Sequence, residues 1–462
     1  MGMRSFAVGL SRLAALSIGL LLAESEDSRA APDPCSLQET SYRGWKAYQL
    51  SNGLVTLYVT PDIGGRVIQY QLADHPFLFV NRELAGKVFS PEENGGAKGG
   101  WKNYGGSKLW PAPQGWERDD QWPGPPDPVL DGGVYASQIT DRDPAHVAVK
   151  VTSAPDARTG VQLSRTITLF PGGTQVRHEC VMKNVSQRPL RWSIWEVIQQ
   201  DAAAPAGTTG PFNDDLWAYC PLNKSSVHSK GFFPMFGQAT HASWRPDYEK
   251  NLFSVKYDYR VGKVGLDSSA GWFAVVNGHS DHCFVGRFKW FDTASYPDKA
   301  SLEFWLNGAG EFILNGTTFT NAPGAKETPY LMETEILSPL VQLDPGQEYR
   351  FDIDWFATRC PKPVIDMTPA AAVHQPLRVA IEQGRATLHG VFGVFFQGHA
   401  QATVSDAVGG VLERQDLGPV HPNAVFRLHS PLAVPPKAYR ISVSVVDENG
   451  INRGWLGNAT IP

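Results

Sequence analysis

"YRFDIDWF", residues 349–356, decides the reading of the whole chain. Tyr349, Phe351, Ile353 and Trp355 fall on one side, and Arg350, Asp352 and Asp354 on the other. In an extended chain successive side chains point to opposite faces, so this is a strand with one dry face and one wet face. The same period of two recurs along the sequence. "LVTLYVT" (Leu54–Thr60) alternates into "PDIGGRVIQYQL", and "VQLSRTITL" (Val161–Leu169) turns at "FPGGTQ" and returns as "VRHECVMKN". No long amphipathic helical pattern interrupts these runs. With 45 Gly and 35 Pro punctuating them, the chain reads as all-β.

A length of 462 residues exceeds one ordinary core and favours two domains. We read residues 36–358 as a large β-domain and "TRCPKPVIDMTPAAAVHQP" as the source of a linker over 359–376. Residues 377–462, with short strands and turn signals, read as a small β-sandwich. The long segment 95–133 is rich in Gly and Pro yet carries Trp101, Trp110, Trp116 and Trp122. A disordered linker would not hold so many indoles, so an ordered, functional loop is expected.

The charge balance is only −5, without a basic block, which excludes an electrostatic footprint for nucleic acid. Aromatic residues reach 11%, including 14 Trp. Cores use such rings, and so do clefts that stack them on pyranoses. At the N-terminus, Arg4 and Arg12 flank "LAALSIGLLLA" (Leu13–Ala23), followed by "SRA" (Ser28–Ala30). This reads as a secretory signal over 1–30, too short to span a bilayer as a stable helix. The mature chain is then expected in the periplasm or outside the cell, with no integral membrane segment. Cys35 lacks a lipobox, so a lipid anchor is not expected. The five cysteines are an odd number, and a bridge from Cys35 to Cys360, tying the ends of the large domain, is the favoured pairing. Cys180 and Cys283 sit in strand-like runs and read as buried thiols.

Four stretches carry candidate chemistry. In "YLMETEILSPLVQLDPGQ" (Tyr330–Gln347), Glu333 and Glu335 share one strand face, either lining a cleft or forming the wet side of a sheet. Paired carboxylates raise one another's pKa, which poises an acid or base near neutrality. In "RWSIWEVIQQD", Glu196 follows Trp192 and Trp195 in a run too apolar to take a charge without a partner or a purpose. In "PDIGGRVIQY", Gly64 and Gly65 allow a bend before Arg66, whose fork of donors suits hydroxyls or a carboxylate, and Asn81 in "FLFVNRE" joins it. In "GGSKLWPAPQGW", Lys108, Trp110 and Gln114 form a wall. No metal or other cofactor is expected: "HSDHC" (His279–Cys283) lacks a partner cluster, "GGAKGG" lacks phosphate-loop spacing, and no GxSxG elbow occurs.

"NGLVTLYVTPDIGGRVIQYQL", "FLFVN", "GGSKLWPAPQ", "SIWEV" and "ETEILSPLVQLDPGQ" together resemble the DUF4380 family of uncharacterised bacterial proteins, over roughly Tyr42 to Thr358. That family is similar in turn to the galactose mutarotase (aldose 1-epimerase) superfamily. The resemblance implies a galactose-mutarotase-like antiparallel β-supersandwich, here followed by a C-terminal Ig-like sandwich. In mutarotases a late "LETQ" strand carries the glutamate base, and "METE" lays Glu333 on that glutamate and Glu335 on the glutamine. The superfamily's "N-x-S-x-x-P…H-x-Y" supplies the acid. "NVSQRP" matches its start, but Glu196 falls near the histidine's place and no histidine is there. The resemblance lays Arg66 on the superfamily's sugar-binding arginine, although the motif around it differs.

The resulting expectation is a secreted carbohydrate-recognising protein. Glu333 or Glu335 would be the base and Glu196 the acid at an anomeric carbon. Arg66, Asn81, Lys108, Trp110, Gln114 and Trp195 would bind the sugar. Such a site would serve an epimerase-like or glycan-processing enzyme. A non-catalytic carbohydrate-binding module and a cell-envelope scaffold are the alternatives.

Overall fold

In the computed structural model the described residues are 33–461 apart from 96–99, 116–117, 119, 237–239, 315–316, 325, 327 and 383–384. The signal read over 1–30 and Trp116 lie outside them. The architecture is all-β. Among the described residues no helix is long and apolar enough to cross a membrane.

Two antiparallel sheets, of 12 and 10 strands, make the large sandwich. The first runs through strands Arg66–Leu72, Ser107–Ala112, Leu190–Asp201, Leu331–Leu337, Leu302–Asn307 and Gly262–Leu266 as consecutive neighbours. The second includes strands His282–Phe288, Glu348–Arg359, Val176–Asn184 and Val161–Leu169 in that spatial order. Their inner faces form one apolar cluster, with Ile194, Ile198, Ile336, Phe351, Ile353 and Trp355 all buried. Burying each such large side chain contributes roughly 1.5–3 kcal/mol, which is what drives the two sheets together. "YRFDIDWF" behaves as its alternation requires: Phe351, Ile353 and Trp355 are inside, and Arg350 and Asp352 are exposed.

The C-terminal region adds two four-stranded sheets. Their inner residues, among them Leu388, Phe392, Val443 and Val445, belong to one cluster that also takes in Trp272, Val285 and Phe356 from the ten-stranded sheet. Phe356 stacks on Phe395 with ring centroids 4.5 Å apart. The segment 359–376 is therefore not a free linker. It contains strand Asp366–Met367 and the start of strand Ala371–Glu382, and it buries Cys360, Val364 and Ala370–Val373. The small side chains of Ala370, Ala371 and Ala372 let the chain press against the large sandwich, where a linker would stay in water.

The expected Cys35–Cys360 bridge is also absent, since all five cysteines are free and buried. Cys35 Sγ lies against the Leu169 carbonyl at 3.5 Å, and Cys360 Sγ against that of Ala372 at 3.7 Å, in separate apolar clusters. Burial pushes both thiols up to about 12, which keeps them protonated and unreactive.

Candidate functional site: a carboxylate-floored aromatic cleft

The outer face of the 12-stranded sheet forms a cleft of about 430 Å³. Strand register explains its floor. Lys108 lies opposite Val197, which lies opposite Glu335, which lies opposite Glu303. One row along, Gln199, Glu333, Trp305 and Lys263 are consecutive partners, and Trp110 pairs with Trp195. Directly opposed residues project to the same face, so five strands deliver these side chains to one place.

Glu333 is the accessible carboxylate of the floor, its side chain 12% exposed. Its Oε1 accepts from Gln199 Nε2 at 2.7 Å and from Lys108 Nζ at 3.2 Å. Among the described residues no hydrogen bond is made to its Oε2, which leaves that oxygen for a ligand. Lys108 is itself fully buried. Burial holds its pKa below the ordinary lysine value, against the pull of Glu333, and its ammonium also lies 4.7 Å from the Trp110 ring centroid.

Glu335 lies beneath the floor at 0% exposure. Like-charged Glu303 stands directly opposite it, an arrangement that repels unless bridged. Lys263 is the bridge, with Nζ 2.7 Å from Glu303 Oε2 and 2.9 Å from Glu335 Oε2. Trp195 Nε1 donates to the same Glu335 oxygen at 2.8 Å. Burial, reinforced by Glu303 and Glu333 and opposed by Lys263, pushes the Glu335 carboxyl up to about 8. Burial disfavours the Lys263 ammonium, but the two carboxylates outweigh it and raise its pKa. At the rim, desolvation and the Glu303 charge lift Asp298 to about 6.

Aromatic side chains make the walls: Trp101, Trp110 and Trp195 on one side, Trp305, Phe236 and Phe312 on the other. The second group packs mutually, with centroids 5.6–5.8 Å apart. The first group is anchored from behind. Asp131 Oδ2 accepts from Trp101 Nε1 at 2.9 Å, and Oδ1 from Trp110 Nε1 at 3.2 Å and from Arg66 Nη2 at 2.5 Å. Arg66 also donates to the carbonyls of Ile63, Gly105 and Asp131. Gly64, at φ +81°, leads into this arginine, and a Cβ there would collide with the Asp131 carbonyl.

The cleft thus gathers Glu333, Trp110, Trp195 and Gln114, while the sealed side chains of Lys108 and Glu335 lie beneath it and do not meet a ligand directly. Three expected site residues lie elsewhere. Arg66 is wholly buried and positions Asp131, so it cannot meet a ligand. Asn81 caps a short 3₁₀ turn by accepting from Glu83 N, and donates to the Asn103 carbonyl. Glu196, at 0% exposure, points into the core, where it accepts from Arg165 Nη1 and Ser107 Oγ, each at 3.2 Å, and from Trp355 Nε1 at 3.3 Å. Period two is the reason: Trp195, Val197 and Gln199 face the cleft, so Glu196 between them cannot. Lys263, Glu303, Gln199, Asp131 and Trp305 were not anticipated. A charge inside each apolar run, Lys263 in "GKVGL" and Glu303 in "LEFWLN", was the signal available.

Residues 46–204 match the family model of a domain of unknown function, DUF4380. No curated protein matches the chain. Solved structures similar to it include a galactose mutarotase-like protein from Lactobacillus casei ATCC 334, at TM-score 0.43 and 13% identity over 67% of this chain and 99% of that one. Another galactose mutarotase-like protein, from Clostridium acetobutylicum, has TM-score 0.43 and 11% identity over 71% of this chain and 99% of that one. A TPR-domain containing protein from Parabacteroides distasonis ATCC 8503 has TM-score 0.42 and 12% identity over 73% of this chain, which spans 56% of that protein's length.

Proposed function

We propose that the cleft recognises a carbohydrate, with Glu333 accepting a hydrogen bond from a sugar hydroxyl and flat indole faces packing on the ring. One observation carries the reading: Glu333 is held on a single oxygen by Lys108 and Gln199, and the other oxygen opens into an aromatic-walled hollow. A buried anchor on one oxygen fixes the direction of the other, so an incoming hydroxyl meets a positioned acceptor. The position agrees with the resemblance of "METE" to the strand that carries the mutarotase base.

Anomer exchange is the chemistry such a carboxylate serves. It removes the proton of the anomeric hydroxyl while a second group protonates the ring oxygen. Glu196 is sealed in the core and does not fill the second role. Asp298, exposed at the cleft rim beside Glu303, is the remaining lining carboxyl placed to donate. The test is a glycan screen of the purified chain, then exchange NMR of the α and β anomers of any hit. Exchange that is lost in Glu333→Gln, with binding retained, marks an enzyme. Binding without exchange marks a recognition module. No binding to any saccharide ends the proposal.

A further inference from the structure

Most hydrogen-bond donors near the cleft are already committed, the Trp305 indole N–H being an open one on its wall. The indole N–H groups of Trp101, Trp110 and Trp195 are all committed to carboxylates behind the wall. Lys263 is spent on two carboxylates and Lys108 on one. Asn307 Nδ2 donates to the Pro329 carbonyl and Gln114 Nε2 to that of Pro123. Among the described residues, the sealed side-chain atoms of cleft-lining residues that lack a partner are the oxygens Asn103 Oδ1, Gln199 Oε1 and Glu303 Oε1. The Gln199 assignment follows from chemistry. Its amide must turn N–H toward the Glu333 carboxylate, which only accepts, so Oε1 faces away. Gln199 and Glu303 are both at least 99% buried, and both line the cavity.

Charge points the same way. Asp298, Glu303 and Glu333 line the cleft with Glu335 beneath, against the two ammonium groups of Lys108 and Lys263. With a proton on Glu335 and Asp298 ionised, as it mostly is at pH 6.5, the site keeps one negative charge in excess. The rings around it present their electron-rich faces, which also favour a cation. A carboxylate or phosphate on the ligand would meet this negative charge, and the ammonium groups of Lys108 and Lys263 are already paired with carboxylates.

We infer that the preferred ligand is a sugar bearing a protonated amino group, and that uronates and sugar phosphates are rejected. This rests on the carbohydrate reading above and narrows it. The ammonium donates to Glu333, whose second oxygen is open, and its charge offsets the carboxylate excess.

Calorimetric titration with glucosamine, glucose and glucuronate, and with the matching galactose series, tests it at pH 6.5 in low salt. One unit charge at roughly 10 Å in an effective dielectric of ~20 changes affinity about tenfold. The amino sugar should therefore bind about tenfold more tightly than its neutral parent, and the uronate about tenfold more weakly. The amino preference should shrink in Asp298→Asn and in Glu303→Gln, and both should diminish as salt rises. Circular dichroism of each variant checks that it is folded. Equal affinity for the three charge states overturns the inference and leaves the carbohydrate reading standing. Tighter binding of the uronate overturns it as well. If neither series binds in any charge state, both fall together.

Discussion

Replacing Arg165 by Met tests whether Glu196 is a structural strut. Arg165 reaches across the sandwich from the ten-stranded sheet, its Nη1 on Glu196 Oε1 and Ser107 Oγ and its Nη2 on the carbonyls of Gly65 and Ser107. Both side chains are essentially sealed, at 2% and 0% exposure. Removing one partner of such a buried pair costs about 3–5 kcal/mol, because the remaining charge has neither water nor counter-charge. Glu196 can escape only by taking a proton. Burial already raises its pKa, and losing the guanidinium raises it further. A carboxyl whose pKa is higher folded than unfolded leaves the fold unburdened below its unfolded value, and stability falls as pH climbs toward the folded value. The deficit of Arg165→Met should therefore widen from pH 5 to pH 8, by up to about 1.4 kcal/mol per unit through the range where Glu196 titrates. The two orphaned carbonyls add a part independent of pH. Urea unfolding followed by tryptophan fluorescence at the two pH values measures both parts. Arg165→Met/Glu196→Gln should lose the pH-dependent part. A deficit below about 1 kcal/mol, or one equal at pH 5 and pH 8, refutes the assignment.

Other expectations follow from the same geometry. Burial raises the Glu335 carboxyl above its ordinary value, so native wild type loses stability relative to Glu335→Gln as pH rises above the ordinary carboxylate range; thermal melts from acid to neutral pH check it, and a constant difference contradicts it. Asp131→Ala leaves a buried Arg66 without its counter-charge and removes both indole anchors, and should destabilise the fold by roughly 3 kcal/mol and alter the fluorescence of Trp101 and Trp110; an unchanged spectrum and midpoint would count against the anchoring role. The five buried thiols should resist an aqueous thiol reagent in the native state and all react in denaturant without prior reduction; five thiols appearing only after reduction would restore a bridge.

Much of the fold was legible because period two is a local property. The alternation in Tyr349–Phe356 and Val161–Leu169 states which side is dry without knowledge of neighbours. The same rule separates Trp195 from Glu196, which the sequence reading puts in one site: adjacent residues of one strand cannot both face one cleft. Arg165 could have been found as well. It stands in the inward series Val161, Leu163, Ile167 and Leu169, as Glu196 stands between Ile194 and Ile198, so two opposite charges faced one core. What local sequence does not contain is which strands become neighbours. The row Gln199–Glu333–Trp305–Lys263 joins residues far apart in the chain, and only the sheet order places Lys263 beside Glu335. The 359–376 segment misled for a related reason: its Pro and Ala content suits a linker in isolation, and its burial depends on a surface supplied by strands 272–277 and 348–359.

The central claim is tested most directly by titrating the folded chain with pyranose sugars while following tryptophan emission, in wild type and in Glu333→Ala. Saturable quenching or enhancement in wild type, weakened at least about tenfold when the positioned acceptor is removed, is the predicted result. Emission that no sugar perturbs, or an affinity indifferent to Glu333, would contradict the account.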